Sequence, residues 1–236
     1  MAKKALNKLI KLLDLEHLEE NLFRGQSENI GGPRVFGGQV IGQALTAAVR
    51  TVPSKRFVHS LHAYFLRPGD MEYPIIYNVE RTRDGGSFTT RRVVAIQKGE
   101  PIFDMALSFH KKEKGPSHQI DMIDIPGPEE CISELEVKKK MIDKVPLKYR
   151  DFFLRERPIE IRNLPGEGMF EEPIKKPPHK HVWMKAAGKL PDEVLQHQAI
   201  LAYELLLYLY AAHELILKLR IAVQTLFSML LLQYLY

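Results

Sequence analysis

The sequence predicts an α+β fold in which an antiparallel sheet curls around one long, apolar helix. Three observations carry this. Within 36–50, Val40, Ile41, Ala44, Leu45, Ala47 and Ala48 recur at helical spacing and form one broad apolar face. Four β-rich runs then follow, at 57–66, 73–83, 87–98 and 101–111. The last three are joined by Asp84-Gly85-Gly86 and Gly99-Glu100, the turn chemistry of antiparallel hairpins. Helices that precede a run of antiparallel strands are the α+β pattern.

Residues 1–13 are basic and amphipathic, with no continuous apolar core and no small-residue cleavage site. They read as a short capping helix, not a secretory signal. Residues 21–26 read as a short strand leading to the glycine pair Gly37-Gly38, which admits close backbone approach. With Gly42, the pair lets the helix lie against other backbone. Its first turn carries N–H groups without intrahelical partners, suited to an anion or a polarised carbonyl oxygen. Arg67-Pro68-Gly69-Asp70 ends the first strand as a turn. In 87–98, Phe88, Thr90, Arg92, Val94 and Ile96 share one face, and Thr89, Arg91, Val93 and Ala95 the other. His59 and His62 stand at i and i+3 of a strand, so they point to opposite faces and share neither a metal nor a proton.

Residues 113–155 are rich in Lys, Glu and Pro and read as a connection, with a helix at 138–145. Strands are expected at 157–162 and 181–186, and a helix starts at Leu190-Pro191-Asp192-Glu193. From Ala199 on there is no Gly, Pro, Asn or Asp, and leucine dominates. Its longest uncharged run, 221–236, has 16 residues, short of the roughly 20 that span a bilayer.

A net charge of +5 favours anionic ligands. Lysines are scattered or in short groups such as 138–140 and 175–176, without the interleaved aromatics of an RNA-binding surface, so no nucleic-acid partner is expected. The single cysteine, Cys131, excludes an intramolecular disulfide and a multi-cysteine zinc site. It follows Pro128-Glu129-Glu130, which disfavours a thiolate, and reads as an inert surface or half-buried thiol in a reducing compartment.

Several blocks together resemble one family. They are Leu22-Phe23-Arg24-Gly25-Gln26-Ser27, the stretch 35–45, Val58-His59-Ser60-Leu61-His62-Ala63-Tyr64-Phe65-Leu66-Arg67-Pro68-Gly69-Asp70 and Asp84-Gly85-Gly86-Ser87-Phe88. Gly99-Glu100-Pro101-Ile102-Phe103, Arg157-Pro158-Ile159-Glu160, Val182-Trp183-Met184-Lys185-Ala186, Pro191-Asp192 and His197-Gln198-Ala199-Ile200-Leu201-Ala202-Tyr203 continue the series. In order and spacing they resemble bacterial acyl-CoA thioesterase II, whose family includes the peroxisomal acyl-CoA thioesterase of animals. The resemblance covers 5–203.

It implies a double hotdog, two copies of a long helix wrapped by an antiparallel sheet. Residues 1–112 would form the first hotdog, 113–155 a linker, and 156–236 a partial second hotdog with a Leu-rich tail. It implies hydrolysis of fatty acyl-CoA to free fatty acid and coenzyme A by water, with no metal, cofactor or covalent intermediate. Phe36, Gly37, Gly38, Gln39, His59, Phe65, Ser87 and Phe88 are the candidate substrate-binding residues, and Arg81, Arg83, Arg91 and Arg92 are candidates for the coenzyme A phosphates. The family's water-orienting aspartate is expected three residues after Tyr203, where this chain has Leu206. Glu204 is the nearest carboxylate and the candidate catalytic substitute, and Thr225 lies where a partner threonine is sought. The alternative reading is a non-catalytic acyl-CoA-binding or interaction module. A homo-oligomer without stable membrane insertion is expected. The location expected is cytoplasmic, with the peroxisome as alternative, although the last residues are not Ser-Lys-Leu.

Overall fold

The computed structural model describes residues 2–30, 33–168 and 181–216. Thr225, Lys175, Lys176 and the uncharged run 221–236 lie outside the described residues. The chain forms two compact units, each built from separated segments: Ile10–Lys114 with the part from Pro191 onward, and Met1–Leu9 with Gly115–Leu190.

The first unit holds a six-stranded antiparallel sheet in the order β1-β2-β4-β5-β6-β3. Its strands are β1 (Glu16–Glu19), β2 (Leu22–Gly25), β3 (Arg56–Phe65), β4 (Ile75–Asp84), β5 (Phe88–Gln97) and β6 (Glu100–Lys111). The long hairpins follow the turn signals. Lys98 and Gly99 both take positive φ, at 52° and 80°, so a tight turn joins β5 to β6 with the twist the strands require. Along β5, Thr89, Arg91, Val93 and Ala95 are the buried set, which gives the alternation its inner face. β1 was not expected from the sequence: all four of its residues are exposed, so no apolar alternation marks it.

The chain opens with helix α1 (Ala2–Leu13). Against the inner face of the sheet lies α2 (Gly37–Val49), with Val40, Ala44, Leu45, Ala47 and Ala48 buried. Phe36, in extended conformation, precedes it without a side-chain cap. At the other end the Arg50 N–H returns to Thr46 O at 3.2 Å, and its guanidinium sits where the helix dipole is negative. Two glutamines face the interior and are fully buried. Gln43 Nε2 donates to Leu12 O (2.7 Å) and Gln26 O (3.0 Å), while its Oε1 accepts from Tyr77 Oη at 2.7 Å. Gln39 Nε2 donates to Gln26 O (3.1 Å), and its Oε1 accepts the Glu28 N–H at 3.0 Å. Buried amides are thus spent on backbone groups of the segment that leads toward α2.

The arginine expectation needs correction. Arg91 is completely buried. Its guanidinium donates to Thr51 Oγ1 and O (both 2.9 Å), Thr90 O (2.9 Å), Arg83 O (3.2 Å) and Asp84 Oδ1 (2.7 Å). A fork with its donors engaged inside the protein is a structural tie between the β4–β5 hairpin and the end of α2, not a phosphate ligand. Arg92 pairs with Asp104, and Arg81 with Glu20 and Asn21.

A second long helix, α5 (Val194–Ile216), packs on α2 in the same unit. Contacts of the α2 glycines give its direction: Gly37 faces Leu206, Gly38 faces Tyr203, and Gly42 faces Ala199. Numbers rise on one helix as they fall on the other, so the two run antiparallel.

The other unit contains α3 (Glu134–Met141), α4 (Leu147–Phe153) and the antiparallel pair β7 (Ile159–Asn163) and β8 (Val182–Ala186). Ser133 opens α3 with a capping box: its Oγ accepts the Glu136 N–H (3.2 Å) and the Glu136 carboxylate accepts the Ser133 N–H (3.1 Å). Residues 113–155 therefore carry two helices, one of them closed by Lys138 against Glu134 at 2.5 Å. Cys131 is buried, not at the surface. Among the described residues no helix is long and apolar enough to cross a membrane.

Candidate functional site

The candidate residues fall into two groups. The first surrounds the start of α2. The Phe36 ring stands edge-on to the Tyr203 ring, with centroids 5.1 Å apart. A Cβ on Gly37 would lie 2.5 Å from Leu206 Cδ2 and 2.9 Å from the Phe65 ring, and one on Gly38 would collide with Tyr203 O and the Phe36 ring. The glycine pair is what lets α5 come this close. Within the turn, the Gln39 N–H is already bonded to Phe36 O at 3.0 Å. The N–H groups of Gly37 and Gly38 precede the first intrahelical bond and are the donors of the positive helix end.

Leu206, where the family's aspartate is expected, is the α5 residue that meets Gly37. Glu204 is fully buried. At helical pitch it lies roughly 140° around α5 from the Ala199–Tyr203–Leu206 line that faces α2. The structure does not bring its carboxylate to the face on which Phe36, Gly37 and Gly38 gather.

The second group sits toward the other end of β3, roughly 20 Å from Phe65 at strand rise. The β3–β6 pairing shifts between Val58 and Ser60, leaving His59 as the extra residue of a bulge. That bulge, invisible in the sequence, alters the alternation on which the His59–His62 comparison depends. His59 Nε2 hydrogen-bonds Ser108 Oγ at 2.8 Å, and its ring packs beside His110 (5.0 Å) and Phe88 (5.8 Å). Burial, reinforced by the nearby His110, holds the His59 imidazole below its ordinary pKa. Ser87 Oγ donates to Glu113 Oε1 at 3.2 Å on the exposed side. Gln39, buried and engaged by the 26–28 backbone, supports the site from within. Among the described residues no three His, Cys, Asp or Glu side chains gather as metal ligands would.

One feature was not legible in the sequence. A cavity lies between α2, β3 and α5, lined by Leu45, Val58, His59, Ser60, Leu61, Gln198, Leu201 and Ala202. Gln198 is nearly buried, and its Nε2 donates to Val58 O at 3.0 Å. Because a backbone carbonyl only accepts, this bond fixes the amide orientation. Oε1 is then a buried acceptor with no hydrogen-bond partner among the described residues, a state that costs about 1–3 kcal/mol. The partner of Gln198 is 140 positions away in sequence.

Comparison with known proteins agrees with the geometry. The sequence profile of the acyl-CoA thioesterase N-terminal domain matches residues 24–110. The chain is 41% identical over 202 residues to acyl-CoA thioesterase 2 of Haemophilus influenzae, covering 84% of this chain and 69% of that protein. It is 38% identical over 200 residues to human acyl-coenzyme A thioesterase 8, covering 81% of this chain and 62% of that protein. The chain thus spans about two thirds of the length of these relatives. The acyl-CoA thioesterase II TesB2 of Mycobacterium marinum superposes with a TM-score of 0.65 at 38% identity, over 87% of this chain and 71% of that one. With its long glycine-led helix wrapped by an antiparallel sheet in the hotdog arrangement, the chain belongs to the acyl-CoA thioesterase II family.

Proposed function

We propose that the chain hydrolyses fatty acyl-CoA to free fatty acid and coenzyme A. The observation that supports this best is the largely buried first turn of α2, whose Gly37 and Gly38 pack closely on Leu206 and Tyr203 of α5 and whose N–H groups precede the first intrahelical bond. A thioester carbonyl oxygen seated there receives two N–H groups aimed at the charge that develops on attack. Water adds to the carbonyl carbon, the C–S bond breaks, and the proton released passes to the departing thiolate. Phe36, Phe65 and Tyr203 provide apolar walls near the reacting carbon.

With Leu206 in place of a carboxylate, attack rests on oxyanion stabilisation rather than on an oriented water. Glu204, on a different face of α5, acts at most at a distance. The test is thiol release from dodecanoyl-CoA. Wild type is expected to exceed buffer, Leu206→Asp to raise kcat about 10²-fold, and Glu204→Gln to change it less than tenfold. No release by folded wild-type protein rejects hydrolysis in favour of acyl-CoA binding alone. A hundredfold loss in Glu204→Gln gives that residue the proton-accepting role. We read α5, with β7 and β8, as belonging to a second hotdog copy. We read the protein as belonging to a reducing, bacterial-type cytoplasm, on the strength of its bacterial relative and its single, buried cysteine. We read it as a homo-oligomer because hotdog folds pair through their sheets.

A further inference from the structure

The positive charge of the chain is concentrated in the unit that contains α3 and α4. Residues 138–157 hold eight Lys and Arg against three Asp and Glu, a net +5 that equals the net charge of the whole chain. Part of it is engaged internally: Lys138 and Arg157 pair with Glu134, and Arg150 Nη2 stands 3.9 Å from Asp143 Oδ1. Lys139, Lys140, Lys144 and Lys148 are exposed and in no ion pair among the described residues. Within this stretch, α4 is a helix with no buried residue, although four of its seven residues are Leu, Tyr or Phe. A helix of two turns is marginal unless one face packs on something. Tyr149 and Phe152, at i and i+3, share a face and are 53% and 49% exposed. A cation accompanies each ring: Lys148 Nζ lies 4.7 Å from the Tyr149 centroid, and Arg155 Cζ 4.2 Å from that of Phe152. Lys138 Nζ lies 5.6 Å from the Phe153 centroid, which sets the last turn of α3, with Lys139 and Lys140, beside α4.

We infer that the Tyr149–Phe152 face of α4 and the lysines around it dock on the surface of an anionic lipid bilayer, without spanning it. The two rings enter the boundary between headgroups and acyl chains, where amphipathic aromatic side chains are favoured. The ammonium groups stay at the level of the lipid phosphates on their apolar stems. Charge complementarity calls for an anionic partner, and the exposed rings select among such partners. A cation already lies over one face of each ring, where a nucleobase would stack. Two half-exposed rings or a polybasic patch alone would hold a protein on a membrane only marginally; the two signals together give reversible docking. The inference stands independently of the hydrolysis reading.

The experiment is co-sedimentation of the whole chain with vesicles of phosphatidylcholine, alone or with about one third phosphatidylglycerol, at about 0.1 M salt. Binding to the anionic vesicles is expected to be at least about tenfold tighter than to the neutral ones, and to weaken as salt rises to about 0.5 M. Lys144→Gln with Lys148→Gln weakens it about 25-fold, or about fivefold per charge. Phe152→Ser and Tyr149→Ser each weaken it about tenfold and leave its salt dependence in place. Neither side chain is buried, so both variants keep the fold, which circular dichroism checks. Leu147→Ser is the directional control. Leu147 is 79% exposed but stands roughly 140–160° around the helix from the two rings, and its loss changes binding less than about twofold. No binding to anionic vesicles, or equal binding to both compositions, overturns the inference. So does a loss in Leu147→Ser equal to that in Phe152→Ser, which would leave α4 without a docking face. Tighter binding to single-stranded RNA than to vesicles, indifferent to Phe152→Ser, also overturns it and gives the lysines to a nucleic acid. Vesicle binding by a protein that releases no thiol would keep the surface and reject the hydrolase; thiol release without vesicle binding would do the reverse.

Discussion

The two ends of the α2–α5 pair are packed in opposite ways. At the start of α2, Gly37 and Gly38 bring backbone against Leu206, Tyr203 and the rings of Phe36 and Phe65, with no room for a methyl group. Further along, Leu45 and Gln198 both line a small cavity. One pair of antiparallel helices therefore presents a close-packed donor end and an end bordered by a small apolar cavity. Residue size marks the difference: glycines close the first end, while leucine and glutamine border the space at the second. Closeness positions donors where charge develops.

Breaking the cavity end has the larger effect on stability. Leu45 is essentially buried and already borders a cavity. Leu45→Ala enlarges a space that its neighbours have not closed, with an expected cost of about 3–4 kcal/mol in denaturant unfolding. A cost below about 1 kcal/mol would show that α5 collapses into the gap. The close end breaks by addition. Gly38→Ala sets a Cβ against Tyr203 O, a backbone atom that cannot step aside, and against the Phe36 ring; about 2 kcal/mol and most of the activity are expected to go. Gly42→Ala is the control. Its nearest neighbour is Leu13 Cδ2 at 2.8 Å, the end of a flexible side chain, with Ala199 O at 3.2 Å. The gain in helix propensity of about 1 kcal/mol offsets that crowding, so its stability stays near wild type.

Much of this contrast was legible in the sequence at one end only. The glycine pair, the apolar period of α2 and the hairpin turns at Gly85-Gly86 and Gly99 are local signals, and local signals survive into the fold. Features that depend on distant partners were not legible. Arg91 alternates onto the inner face of β5 beside Val93 and Ala95, and nothing nearby announces that Thr51 and Asp84 will absorb its donors. The His59 bulge is defined by the partner strand. Gln198 acquires its meaning from a β3 carbonyl. Leu206 was read as a missing aspartate; the structure adds that it occupies the place beside Gly37 where a carboxylate would be useful.

The smallest effect tests the polar wall of the cavity end. His59 is held by Ser108, faces His110 and Phe88, and shares the cavity lining with Gln198. Burial first, and His110 second, lower its pKa from the ordinary 6.5. The native imidazole therefore takes up a proton less readily than the unfolded one. As pH falls through 6.5 toward the lower native value, the unfolded chain binds more protons, so stability declines with falling pH and is recovered as pH rises. The exposure of His59 keeps the change small, since solvent screens the charge it would acquire. His59→Gln, which keeps a donor toward Ser108 but cannot titrate, is expected to flatten this part of the unfolding profile and leave the value at pH 8 unchanged. An identical slope in wild type and His59→Gln would move the effect to other titrating groups and leave the bulge histidine as a purely packing residue.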